Sequence, residues 1–177
     1  GCGKTSTAFI LAKAVNCPNA KDGKPCNKCD TCRSIDDQAS MGVHYISMAN
    51  NGSVDDVRRI VEASKRMSVI KRPIWILDEV HNMSAAAFDA MLIPIEDKNL
   101  KALFILCTTN LAKVPDTIVS RIQQRSFHLV SFKELGNLCV KVCRAEGVPI
   151  TKDDSDAPLE STSLTTHTIV NAIASGG

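Results

Sequence analysis

A doubly wound α/β fold built on a parallel sheet is the class this sequence predicts, and three observations predict it. Two apolar runs, Ile74-Trp75-Ile76-Leu77 and Leu103 to Cys107, read as strands buried on both faces. Stretches with apolar residues at helical spacing alternate with them, as parallel strands joined by crossover helices require. A glycine turn, Gly1-Cys2-Gly3, opens straight onto one of those helices, which leaves unpaired backbone N–H groups facing outward.

The elements follow in order. Thr5 to Asn16 carries Ala8, Phe9, Leu11, Ala12 and Val15 on one helical face without an internal Gly or Pro. Residues 17 to 33 hold Pro, Gly, Asn, Lys and four cysteines, too polar for regular structure unless something staples them. His44-Tyr45-Ile46 reads as a short strand. Ser53 caps the next helix, Asp55 and Asp56 occupy its first turn, and Val54, Val57, Ile60 and Val61 form its buried stripe, leaving Arg58 and Arg59 in solvent. After the strand from Ile74, Ser84 to about Leu92 is helical, and Pro94 is expected to end or kink it. Pro115 suits the first turn of a short helix through Ser120, and Phe127 to Val130 is a candidate final strand. From Phe132 the pattern is purely helical, with Leu135, Leu138, Cys139 and Val142 on one face and Gly147 and Pro149 as the stop. A core over 1–130 and the start of a second, helical subdomain over 131–177 are therefore expected, with the hydroxyl-rich stretch 151–166 as a loop.

Composition narrows the class. Of 177 residues 44% are hydrophobic and 23% charged, the balance of a globular chain, and no apolar run approaches a membrane span. A net charge of +2 gives no overall field for nucleic acid. Eight cysteines in a chain with long apolar strands fit a cytoplasmic protein better than a secreted disulfide scaffold. The opening at Gly1 without a preceding strand, and the stop at Gly177 after a helical stretch, read as a piece of a longer protein that lacks its first strand.

Two constellations carry chemistry. Gly3-Lys4-Thr5 opening a helix is the second half of a P-loop, in which backbone N–H groups wrap phosphates, the lysine balances their charge and the hydroxyl ligates magnesium. On its own it is equally a glycine turn before a helix. Asp78-Glu79 answers it, because ligands of an open α/β sheet sit beyond the C-terminal ends of its strands: Asp78 faces magnesium and Glu79 orients the attacking water. Cys17, Cys26, Cys29 and Cys32 offer four thiolates in one polar loop, a soft tetrahedral set that suits zinc, with a redox pair or an iron–sulfur centre as the other readings and His44 as a substitute for Cys17. His81 has no second histidine at helical spacing, so a zinc-protease reading fails. Arg121 has no acidic partner nearby in sequence.

These residues, in order, resemble the tau/gamma subunits of bacterial DNA polymerase III, a branch of the AAA+ P-loop ATPases. Gly1 to Ala8, Leu11 to Cys17, the Cys-x2-Cys-x2-Cys run, Asn50 to Arg58, Leu77-Asp78-Glu79-Val80-His81, Thr108-Thr109-Asn110 and Ser120-Arg121-Ile122-Gln123-Gln124-Arg125 carry the resemblance. It implies an AAA+ core with an inserted zinc module and the start of a helical lid, using ATP, Mg2+ and Zn2+. It further implies an ATPase that, with other clamp-loader subunits, loads a sliding clamp onto primer–template DNA. Carried over, Gly1, Gly3, Lys4 and Thr5 bind phosphates and magnesium, Asp78 and Glu79 form the Walker B pair, Thr109 is sensor 1, and Arg121 is an arginine finger. An inactive stator-type subunit and another AAA+ DNA motor are the rival readings. The chain departs from the family pattern at Ile122, where cysteine is usual, at Ser47, where aspartate is common, and at Pro94 to Asn99. The fragment alone is expected to be inactive.

Overall fold

The computed structural model describes residues 3–66 and 70–146. Contacts divide the chain into two compact units, 4–125 and 126–177 with 1–3.

In the first unit, three parallel strands lie in the order β1 (Val43–Ser47), β2 (Ile74–Asp78), β3 (Leu103–Leu106). The register pairs Ser47 with Asp78 and Leu77 with Leu106, so the C-terminal ends of all three strands fall at one edge. Strand β2 is buried along its whole length, as its unbroken apolar run requires. Its alternate side chains enter two different cores. Ile74 and Ile76 pack with Ala8 and Ala12 of α1 (Lys4–Asn16) and Ile35 of α2 (Asp30–Asp36). Trp75 and Leu77 pack with Val57, Ile60 and Val61 of α3 (Val54–Ser64), with Ala87, Phe88 and Met91 of α4 (Ala85–Glu96), and with Ile118 of α5 (Asp116–Val119). Each such buried Val, Ile, Leu, Met or Phe side chain contributes about 1.5–3 kcal/mol.

Helix ends follow the expected chemistry. Ser53 accepts the Asp56 N–H while Asp56 reaches back to Ser53, a complete capping box, and Ser84 caps α4 by accepting from Ala87. A buried asparagine ties α1 to the segment before β2: Asn16 donates to the Arg72 carbonyl at 3.0 Å and accepts the Arg72 N–H at 2.9 Å. The ammonium of Lys13 clips α1 to α2 through Asp36 at 2.7 Å.

Three expectations are corrected. Helix α4 does not end at Pro94 but runs on to Glu96. The proline sits in the last turn, where its missing N–H costs one intrahelical bond and its buried ring packs. Phe127 to Val130 form no strand; Leu129 is 87% exposed, and among the described residues no ladder pairs the segment, so its apolar pattern has no sheet edge to join. The cysteine loop is more ordered than its composition implies, since α2 starts directly after Cys29.

In the second unit, α6 (Phe132–Ala145) starts at a Ser131/Glu134 capping box, with Leu135 buried. The Gly147 and Pro149 stop and the 151–166 loop lie outside the described residues, as does Gly1. Among the described residues no helix is long and apolar enough to cross a membrane.

Candidate functional site

The C-terminal ends of β2 and β3 and the first turn of α1 converge on Asp78. Thr5 donates its hydroxyl to Asp78 Oδ2 at 2.8 Å, joining residues 73 apart in sequence. The Tyr45 hydroxyl donates to the same oxygen at 3.1 Å, and the Glu79 backbone N–H donates to Oδ1 at 2.9 Å. Asp78 is only 8% exposed, so these donors replace the water a buried carboxylate needs. Burial, with the Asp78 bond and charge next, raises the Tyr45 phenol above its ordinary value, so it remains the donor.

Glu79 follows in a left-handed conformation, φ 55° and ψ 43°, as the chain turns from β2 into the short 3-10 turn Val80–Asn82. Its carboxylate leans toward the end of β3: Thr109 donates its hydroxyl to Oε2 at 3.2 Å, and His81 Nδ1 lies 3.1 Å from the same oxygen. The Val80 N–H donates to the Cys107 carbonyl at 3.0 Å, fixing this turn to β3.

Cys107 reports how closely the charged groups converge. Burial foremost pushes its thiol up to about 11; the Asp78 charge adds to this, the Lys4 ammonium opposes it, and Glu79 adds a little more. Thr5, Asp78, Glu79 and Thr109 are linked in one locality, with Lys4 opening α1 next to Thr5. Gly3, with φ +82°, immediately precedes α1 in a conformation that a side chain would strain.

Arg121 stands apart from this cluster. Sequence shows no acid near it, but the fold brings Glu96 from the end of α4: Arg121 Nε pairs with Glu96 Oε1 at 2.5 Å, and Nη1 donates to the Thr117 carbonyl at 2.8 Å. Its side chain remains 42% exposed.

The four cysteines of the 17–32 loop form a second site. The sulfurs of Cys17, Cys26, Cys29 and Cys32 all lie within 4.8 Å of one another, and Cys17 and Cys29 are 3.9 Å apart. A tight turn presents them: Lys21 and Lys24 bridge antiparallel around Asp22-Gly23, both with positive φ, the two-residue hairpin that Asp-Gly favours. Asn27, also left-handed at φ 53°, bends the chain between Cys26 and Cys29. Backbone N–H groups of Cys26 and Cys29 donate to the sulfurs of Cys17 and Cys26, both at 3.4 Å. The N–H groups of Lys28 and Cys29 bring the Cys26 thiol down to about 6, whereas burial pushes Cys32 up to about 12. A soft four-sulfur set with N–H support fits a tetrahedral metal ion. His44 is not part of it; it lies in β1, stacked on Trp75 at 4.1 Å, and burial lowers its basicity.

Tyr45, His81 and Glu96 are the members that sequence reasoning missed. Tyr45 and Glu96 meet their partners across 33 and 25 residues. For His81 the signal was its place two residues after Glu79.

A family model described as DNA polymerase III, delta subunit, matches residues 1–131. The DNA polymerase III subunit tau of Bacillus subtilis is 38% identical over 151 residues, covering 85% of this chain and 27% of that protein. The DNA polymerase III subunit gamma/tau of Mycobacterium bovis is 36% identical over 162 residues, covering 90% of this chain and 28% of that protein. The chain thus spans little more than a quarter of the length of these relatives. Among solved structures, the RuvB Holliday junction branch migration motor of Thermotoga maritima aligns with a TM-score of 0.63 over 97% of this chain and 49% of that one. At 16% identity that likeness is one of fold, the AAA+ P-loop arrangement of a parallel sheet between helices.

Proposed function

Since this chain belongs to the DNA polymerase III delta-subunit family, with tau and gamma subunits among its relatives, we propose that it is the ATP-hydrolysing core of a clamp-loader motor subunit. In the full-length protein, and with the other subunits of the complex, it loads a sliding clamp onto primer–template DNA. Residues 1–130 are the nucleotide-binding core and 131–177 begin the lid.

The Thr5–Asp78 hydrogen bond carries the reading, because it sets the P-loop helix against the acidic end of β2. Two hard oxygen donors in contact suit magnesium, and Thr5 and Asp78 would hold that ion, whose charge neutralises bound phosphates. Gly1, Gly3 and Lys4 bind the phosphates, the backbone N–H groups by orientation and the ammonium by charge. Glu79 accepts a hydrogen bond from the attacking water and orients it, and Thr109, bonded to the same carboxylate, marks the sensor position. Arg121 acts on nucleotide held by a neighbouring subunit; Glu96 and Thr117 hold its Nε and Nη1, leaving Nη2 for an anion. Zinc, held by Cys17, Cys26, Cys29 and Cys32, staples a loop that has little apolar surface of its own to bury.

Equilibrium nucleotide binding and steady-state hydrolysis by the full-length protein test the reading. Lys4→Ala abolishes affinity, whereas Glu79→Gln retains it and slows turnover. Parental turnover in Glu79→Gln would remove that carboxylate from the mechanism.

A further inference from the structure

We propose that His81 is a positioning residue for Glu79, holding one carboxylate oxygen so that the other is presented to the attacking water; this rests on the reading of Glu79 above.

The backbone of Glu79 is the first observation. A left-handed glutamate costs about 1–3 kcal/mol and persists only where its surroundings over-determine it. They do so here: the Glu79 carbonyl accepts both the Asn82 backbone N–H at 3.0 Å and the Asn82 side chain at 3.1 Å, and the next N–H is bound to Cys107. This conformation aims the side chain at the end of β3.

The hydrogen-bond pattern around His81 is the second. Nδ1 lies 3.1 Å from Glu79 Oε2 and 3.2 Å from Thr108 Oγ1. The Thr108 hydroxyl is already engaged, donating to the Asn110 carbonyl at 3.1 Å while accepting the Asn110 N–H at 3.0 Å. An ionised carboxylate only accepts, so against Glu79 Oε2 the Nδ1 position carries the proton, and the carboxylate is its strongest acceptor. The ring is the fixed end of the pair, its side chain 16% exposed against 37% for Glu79. Thr109 donates to the same Oε2, so two donors pin one oxygen, while Oε1 has no hydrogen-bond partner among the described residues. A carboxylate held by one oxygen keeps its lone pairs on the other in a fixed direction, the pre-orientation that a water-activating group requires.

The experiment compares His81→Asn with His81→Gln in the full-length protein, measuring nucleotide affinity and turnover for each, with Glu79→Gln alongside. An asparagine amide places an N–H close to where Nδ1 lies, whereas a glutamine amide reaches past it toward the Nε2 position. The expected result is turnover near parental for His81→Asn and reduced by up to about a hundredfold for His81→Gln, with both affinities within about twofold of parental. Any other pattern across the two variants overturns the role of His81. Full turnover in Glu79→Gln would instead overturn the reading of Glu79 itself, and slow Glu79→Gln beside active His81→Gln removes His81 alone.

Discussion

Replacing Gly52 by alanine tests whether the β1–α3 loop buttresses the turn that carries Glu79. A Cβ at position 52 would stand 2.6 Å from the Asn82 carbonyl oxygen and 2.8 Å from that of Met48, against about 3.3–3.6 Å for an ordinary C···O contact. Both obstacles are backbone, so neither swings aside as a side chain would, and the Gly52 carbonyl also accepts the Ser84 N–H at 3.0 Å. Alanine gains about 0.4–1 kcal/mol by restricting the unfolded chain. Forcing two backbone segments apart costs about 1–3 kcal/mol, so repulsion wins. The domain containing this turn should melt about 2–12 °C lower, with an unchanged denaturant slope. Asn82 donates to the Glu79 carbonyl, so the same push displaces Glu79 and should lower turnover more than nucleotide affinity. Thermal unfolding and steady-state hydrolysis by the full-length protein give both numbers. A Gly52→Ala variant as stable as the parent, or one that loses affinity while keeping turnover, would refute the reasoning.

Other perturbations separate the remaining parts. Cys26→Ser should remove bound zinc and open the 17–32 loop to proteolysis while the sheet persists; one zinc ion per chain retained in metal analysis would contradict the four-thiolate site. Arg121→Ala, in the complete assembly, should leave each subunit's nucleotide affinity intact and reduce hydrolysis by about 10³-fold or more. In mixed assemblies that loss must appear at the neighbour's site, and its confinement to the mutant's own site would refute a finger acting in trans. Asn16→Ala removes both bonds of the buried Asn16 amide to the Arg72 backbone and should destabilise by about 1–3 kcal/mol in chemical denaturation.

What was legible in the sequence was local. Strand β2 announced itself as an unbroken apolar run ending in two carboxylates, and the cysteine spacing alone grouped four sulfurs that the fold brings within 4.8 Å. The pairing of Thr5 with Asp78 was accessible because each lies in a motif whose chemistry calls for the other. Tyr45 and Glu96 were not accessible, since their contacts depend on strand order and on where α4 ends, which no short window encodes. Pro94 misled for a related reason. A proline removes one backbone bond to the preceding turn, but its own φ is helical, so a last turn can continue past it, as α4 does to Glu96. Phe127 to Val130 shows the converse, an apolar pattern with no edge to join.

Magnesium dependence of nucleotide binding probes the central claim most directly, because it reads the Thr5–Asp78 junction and nothing downstream of it. In the full-length protein the parental chain should bind nucleotide more tightly with magnesium than without, and Asp78→Asn should lose that difference while keeping the magnesium-independent part supplied by Lys4. Tightening by magnesium that survives in Asp78→Asn, or a parental protein that binds no nucleotide, would contradict the account.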